Sequence, residues 1–179
     1  MTESLGISVG SANLVASAAS GPPTVRRSVV TLFRHRPPEV GVPSENPRLD
    51  ERGLVLGDFV ARVGDPVPLV AADGTSHRGE QVLAAALDAM ARLVDGGSPV
   101  TVAVPSHWGP GTVGALRGAL RTVPSLSPNG VPATLVPDST AALSSLKITP
   151  GLPTSGVIVL VDLGAGGSSV TLADAGANL

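Results

Sequence analysis

Between residues 77 and 94 apolar side chains return every three or four positions, at Val82, Leu83, Leu87, Met90, Leu93 and Val94. That spacing lays one stripe along a helix and predicts a helix over His77–Val94. Ser76 is its candidate N-cap, Gly79 denies it a capping box, and Gly96-Gly97 ends the helix. Val113, Leu116, Leu120 and Val123 mark the inner face of a second helix that opens on Pro110. Elsewhere apolar residues run in strand lengths: Leu5–Val9 and the segment to Ala18, Thr24–Leu32, Gly53–Leu56, Val100–Val104, Ala133–Val136, and a pair within Val157–Leu172. Arg26 and Arg27 interrupt the alternation of Thr24–Leu32, which suits a sheet edge or a half-solvated strand. Pro66–Val70 followed by Asp73-Gly74 reads as a hairpin, and Asp138–Lys147 as a short helix. Asp58–Val63 fits either a helical turn or a short strand. Arg34–Asp50, with four prolines and no period, is an irregular excursion.

From Val100 onward strands and helices alternate, which predicts parallel pairing, whereas the opening strands follow one another through turns and predict antiparallel pairing. A mixed sheet with helices against it satisfies both. Arg34–Thr75 is poor in core residues and reads as an insertion.

Two strand–glycine turn–strand units bracket the chain. The first is LGISVGSANLVASA at 5–18, the second VIVLVDLGAGGSSVTL at 157–172. A glycine turn brings bare N–H groups close to an anion, and two of them suggest jaws around one phosphate chain. A hairpin turn also carries glycine with no ligand in prospect.

Composition narrows the classes. The 179 residues are 42% hydrophobic, enough for a core, yet contain one Trp, two Phe and no Tyr beside 22 Gly and 17 Pro. Such a core relies on close backbone approach rather than on rings. Net charge is −2, and Arg26, Arg27, Arg34 and Arg36 are the only dense basic run, either a solvated face or a partner patch; nucleic-acid binding is not expected. With no cysteine, thiolate chemistry and zinc–thiolate sites are excluded. Lys147 is the single lysine. No segment is long enough to span a bilayer and no signal peptide is evident, so a cytoplasmic location is expected, a later anchor aside. The sequence stops just after a strand, as at a boundary inside a longer protein. His35 and His77 lack metal-ligand company, and His107 and Trp108 fall in a loop.

Six segments, in order, resemble the first lobe of the actin/Hsp70/sugar-kinase superfamily, and within it the Hsp70 (DnaK-type) ATPase domain. They are LGISVGSAN at 5–13, LVLGDFVARV at 54–63, GEQVLAAALDAM at 79–90, VTVAVPSHWGPGTVGALRGAL at 100–120, DSTAAL at 138–143 and VLVDLGAGGSSV at 159–170. The resemblance implies an α/β, ribonuclease H-like (actin-like ATPase) mixed sheet flanked by helices, with a small inserted subdomain. Residues 1–36 and 76–155 would form the core lobe, 37–75 the inserted outer subdomain, and 156–179 the start of a second, truncated lobe. It implies ATP and Mg2+ as cofactors, both requiring the second lobe. Gly10, Ser11 and Ala12, with Asn13 completing the turn, would clasp the β- and γ-phosphates; Gly164, Gly166, Gly167 and Ser168 would hold them from the other side. Asp162 would face the magnesium, or orient the attacking water, and Asp138 would lie near the metal water. On the residues alone, Asp162 could simply cap its glycine turn, though its place at a strand end facing a Gly loop favours a ligand, and Asp138 equally caps its helix.

Four departures from the family pattern bear on activity. Ser8 stands where the family has an aspartate, although by alternation with Ile7 and Val9 it is an ordinary strand residue. Ala165 replaces a glycine, and Asp138-Ser139 replaces Glu-Pro. Between Gly57 and His77 there is no lysine to serve as the catalytic one, and Arg62 or Arg78 does not substitute for a compact ammonium. The expectation is a divergent Hsp70-like nucleotide-binding protein, chaperone-like or regulatory, that binds ATP with weak or no hydrolysis and engages a protein partner or client. The alternative is a non-catalytic scaffold that keeps the fold for protein contacts. A sugar- or acid-kinase relative would need a catalytic aspartate and a substrate cleft, which the sequence does not supply. Residues 1–155 are expected to form the compact body, with the 157–172 strands an exposed edge that either folds back on its own sheet or pairs with a neighbouring chain.

Overall fold

The chain is organised around its first strand, β1 (Leu5–Val9), in a computed structural model that describes residues 3–19, 21–149 and 151–176. A turn at 10–12 returns it antiparallel as β2 (Asn13–Ala18), and β3 (Thr24–Arg27) continues the meander. On its other side β1 pairs in parallel with β9 (Val100–Val104), which pairs in parallel with β10 (Thr134–Pro137). The sheet order is therefore β10-β9-β1-β2-β3, a mixed sheet with β3 at one edge, as the arginine interruptions predict.

Period-two alternation decides which face is buried. Leu5, Ile7 and Val9 share a face with Leu14 and Ala16 of β2 and with Val100 and Val102 of β9, all almost inaccessible to solvent. Against that face packs α1 (Gly79–Leu93) through Val82, Leu83, Leu87 and Met90. Burial of each such large side chain contributes about 1.5–3 kcal/mol. Beside α1 lies α2 (Pro110–Leu120), anchored by Leu116 and Leu120, with Val113 and Val123 half-buried. The other face carries Gly6 and Ser8, both exposed, flanked by Thr101 and Ala103.

The expected strand Thr24–Leu32 is two strands. The Val29 N–H donates to Arg27 O at 2.7 Å, a three-residue turn that ends β3 and redirects the chain. Beyond it β4 (Val30–Leu32) leaves the main sheet and pairs with β5 (Glu39–Val40) and β6 (Leu54–Leu56) in a separate three-stranded sheet. The Arg34–Asp50 excursion thus contains one short strand. Asp58–Val63 resolves to a 3-10 turn over Phe59–Arg62, with Phe59 fully buried. Two arginines of the basic run are in ion pairs: Arg27 meets Glu45 at 3.2 Å, and Arg36 contacts Glu39, Asp50 and Glu51.

The helix over 77–94 starts later than expected. Ser76 and His77 form β8, paired with β7 (Leu69–Val70), so Ser76 is extended and cannot cap. Arg78 takes the cap position without a side-chain bond. Gly79 is required at the first turn, because a Cβ there would stand 2.4 Å from Arg62 O. Asp138–Ile148 forms α3, one residue longer than expected, with Leu143 its one buried side chain among the described residues. The last pair, β11 (Val157–Gly164) and β12 (Gly167–Asp174), is a hairpin whose strands pair only with each other among the described residues.

Glu80, in the first turn of α1, ties that helix to the preceding loop through the Gly64 N–H at 3.3 Å and Arg78 Nε at 3.1 Å. Burial pushes its carboxyl up, but hydrogen bonds from its own backbone N–H and from Gly64, with Arg78 alongside, outweigh that and hold it below the usual glutamate range. A carboxyl lowered on folding adds stability that is complete above its unfolded pKa, about 4.3, and is lost as pH falls through the folded value. Thermal melts of the chain should therefore drop more steeply from about pH 5 to pH 3 than those of Glu80→Gln. Parallel declines in the two proteins would show that Glu80 contributes nothing to acid sensitivity.

Candidate nucleotide site at the carboxyl edge of the sheet

The three parallel strands β1, β9 and β10 all run toward one edge, and each ends there in a segment of candidate function. Strand β1 ends in the Gly10–Asn13 turn, β9 in Pro105-Ser106, and β10 in Asp138. In open α/β sheets ligands sit beyond the carboxyl ends of parallel strands, where backbone N–H groups and helix starts converge.

The first turn is closed by the Gly10 N–H, which donates to Asn13 O at 3.0 Å. A Cβ on Gly10 would lie 2.8 Å from that same oxygen, so the turn requires glycine. Ser11, Ala12 and Asn13 are exposed. Among the described residues, the N–H groups of Ser11 and Ala12 donate no hydrogen bond within the protein. Ser28, which nothing in the sequence pattern marked, grips the turn from behind: its hydroxyl donates to Gly10 O at 2.7 Å and its N–H to Ala12 O at 2.8 Å.

The second turn closes the β11–β12 hairpin through the Gly164–Gly167 pair, leaving Ala165 and Gly166 at the tip. Gly167 has φ +148°, a conformation open to glycine. This tip reaches the first turn. A Cβ built on Gly166 would fall 2.7 Å from Ser11 Oγ and 3.1 Å from Ser11 Cβ. Gly166 therefore adjoins Ser11, and among the described residues the Ala165 and Gly166 N–H groups also have no partner in the protein. Gly164 and Ser168 flank the tip, both exposed. The structure brings the two glycine turns together.

It does not join the carboxylates to them by any hydrogen bond among the described residues. Asp138 Oδ1 accepts from the Ser139 N–H at 2.7 Å, the Ser106 N–H at 3.1 Å and the Ser106 hydroxyl, which also reaches Ser139 Oγ at 2.7 Å. Asp138 thus fastens the loop after β9 to the start of α3, and Pro137 rather than Asp138 holds the N-cap position. Its partner Ser106 was legible only as the residue after Pro105. Asp162 is exposed near the end of β11, across from Ser169 and without a side-chain partner among the described residues. Ser8 lies on the open face between Val15 and Ala103. Two shallow concavities lie elsewhere, one between α1 and α2 beside Ala84, Asp88 and Thr122, the other among Arg36, Arg48, Asp50 and Glu51. Neither is lined by the glycine turns.

No family sequence model and no curated protein matches the chain by sequence. Solved structures do match by shape. A non-polymerising mutant of MamK bound to AMPPNP superposes on 95% of this chain and 50% of its own, with TM-score 0.62 and 17% identity. The MamK double helical filament superposes on 93% of this chain and 48% of its own, with TM-score 0.58 and 19% identity. The chain spans about half the length of these proteins. Mixed sheet, flanking helices and these likenesses together establish that this chain has the actin-like ATPase fold.

Proposed function

We propose that the chain is the first lobe of a divergent, Hsp70-like nucleotide-binding protein, in which the two glycine turns hold the phosphates of ATP. Residues 1–36 and 76–155 are the lobe, 37–75 its insert, and 156–179 the opening of a second lobe. One observation carries this reading: Gly166 adjoins Ser11, with the N–H groups of Ser11, Ala12, Ala165 and Gly166 unclaimed in the protein among the described residues. A polyanion that reaches both tips gains several oriented donors at no cost in side-chain ordering. Gly10 shapes the first turn, Asn13 closes it, and Ser11 adds a hydroxyl; Gly164, Gly167 and Ser168 shape the second.

Mg2+ fits this site only in company with nucleotide. Among the described residues no group of three or more His, Cys, Asp or Glu could hold a metal alone, and magnesium is commonly held by one or two carboxylates, waters and phosphates. Asp162 has no side-chain partner among the described residues, whereas Asp138 has one oxygen committed to Ser106 and Ser139. Bound Mg2+ would offset phosphate charge; the chain's own part is to orient the phosphates.

Calorimetric titration of the chain with ATP and magnesium should give weak binding, at millimolar nucleotide, because the 179 residues span about half the length of the fold relatives. Gly166→Ala, which forces a methyl against Ser11, should weaken it about tenfold, a change of about 1.4 kcal/mol. Absence of heat at millimolar ATP would remove the nucleotide reading.

Turnover should be slow. Phosphoryl transfer depends on electrostatic positioning, and losing one such partner costs about 3–4 kcal/mol, or two to three powers of ten in rate. Here Ser8 stands for a carboxylate and no lysine lies between Gly57 and His77. Single-turnover phosphate release should be close to background, and Asp162→Ala should change nucleotide affinity more than rate. Brisk magnesium-dependent release, abolished by Asp162→Ala, would show instead an intact catalytic site.

A second reading is a protein-contact role, whether with a client or another copy of the chain. Its support is one face of the β11–β12 hairpin, where Val157, Val159, Val161, Leu163, Val170 and Leu172 are each 55–79% exposed. So much contiguous apolar strand surface marks a contact site, and one fold relative is a double helical filament. No helix among the described residues is long and apolar enough to cross a membrane. Light scattering should show self-association of the chain that Val159→Asp with Leu172→Asp removes. A wild-type chain that stays monomeric as concentration rises would discount pairing between copies.

A further inference from the structure

Ser28 occupies the point where the main sheet stops and the small sheet begins, and it is 6% exposed. Its two hydrogen bonds go to one place. The hydroxyl holds Gly10 O at 2.7 Å and the backbone N–H holds Ala12 O at 2.8 Å. These carbonyls lie on either side of Ser11, so one residue grips the first turn at two peptide units.

The grip has a geometric consequence. A trans peptide is planar, with its C=O and N–H pointing in opposite directions. The carbonyl of Gly10 shares its plane with the N–H of Ser11. Pulling that oxygen toward Ser28 therefore aims the Ser11 N–H away from Ser28. The Gly10 N–H bond to Asn13 O closes the turn but leaves the tilt of the 10–11 peptide free. The hydroxyl of Ser28 supplies that missing constraint.

We propose that Ser28 is a positioning residue for the phosphate turn, fixing the orientation of the 10–11 peptide so that its N–H is presented to an anion before ligand arrives. This rests on the reading of that turn as phosphate-binding. Ser28 touches no ligand itself. Its backbone leads directly into β4, so the small three-stranded sheet and the first turn share one hinge point.

Two measurements on the 179-residue chain test this: amide hydrogen exchange at residues 10–13, and calorimetric titration with ATP and magnesium. The variants are Ser28→Ala and the pair Ser28→Thr and Ser28→Val, which share a shape and differ by the hydroxyl. Loss of a buried hydrogen bond to the turn should speed exchange of the Gly10 amide and weaken ATP about tenfold in Ser28→Ala and Ser28→Val. Ser28→Thr should stay close to wild type in both. The added methyl is common to Thr and Val, so a packing defect cannot produce the split, and the pair decides the matter even if Ser28→Ala does not fold. Equal exchange and equal affinity in Thr and Val would overturn the proposal. A split in exchange, with no ATP heat from wild type, would uphold the grip of Ser28 on the turn while removing the nucleotide reading. ATP binding without any split would do the reverse.

Discussion

Strand β1 is held by neighbours that run in opposite senses, parallel to β9 and antiparallel to β2, and most of the architecture follows. An antiparallel neighbour reached directly in sequence demands a tight turn at the carboxyl end of β1. A parallel neighbour demands that β9 end at the same edge. The glycine turn, the Pro105-Ser106 loop and Asp138 therefore converge because of strand direction, before any side chain is considered. Burial of Leu5, Ile7 and Val9 against α1 fixes which residues face inward, and a slip of one residue would exchange them for Gly6 and Ser8.

The scarcity of rings sets how tightly these pieces must approach. Where a larger core would separate elements with aromatic side chains, here the backbones nearly touch. A Cβ on Gly79 would meet Arg62 O at 2.4 Å, one on Gly97 would meet Glu3 O at 2.5 Å, and one on Gly53 would meet Leu32 O at 2.7 Å. Each contact joins one segment to the next: the 3-10 turn to α1, the loop before β9 to the start of β1, the small sheet to itself. Alanine-rich α1 serves the same end, with Ala84, Ala86, Ala89 and Ala91 buried beside its larger residues. Rigid spacing of this kind suits a fold whose candidate site is built from main-chain groups, since backbone donors cannot rotate to correct a misplaced turn.

Elements with a strong period were legible in the sequence, and those decided by long-range hydrogen bonds were not. The stripe of Val82, Leu83, Leu87 and Met90 located α1, and the apolar runs located β1 and β9, because burial sets those positions; the apolar run of β11 marked a strand whose residues are largely exposed. The split of Thr24–Leu32 was hidden, since the pairing of β4 with β6 depends on chain 20 to 30 residues away, and the local turn from Val29 N–H to Arg27 O carries no glycine or proline to mark it. Ser76 looked like a cap because the hairpin legible at Pro66–Val70 and Asp73-Gly74 runs further than its turn signal marks, pairing Ser76 with Val70. At the site, the glycine turns were legible as turns, but their adjacency was not. Ser28 and Ser106 were overlooked because a serine in a loop carries no signal until its partners are placed.

The same geometry bears on how far binding and turnover are separable. Main-chain donors at Ser11, Ala12, Ala165 and Gly166 survive almost any side-chain change, provided that glycine stays where the turns need it. The groups that would act on a metal or a water are side chains, and those are the positions at which the sequence departs from the Hsp70 pattern it resembles: Ser8, Asp138 and the missing lysine. Asp138 illustrates the drift: its Oδ1 is occupied by Ser106 and Ser139 in a clamp between β9 and α3, a structural employment that a longer glutamate would fill differently. Selection for holding a nucleotide preserves turns and strand directions, whereas selection for hydrolysis must also preserve a charge constellation. On the proposed reading, a chain that keeps the first and loses the second would hold a nucleotide with little capacity to consume it.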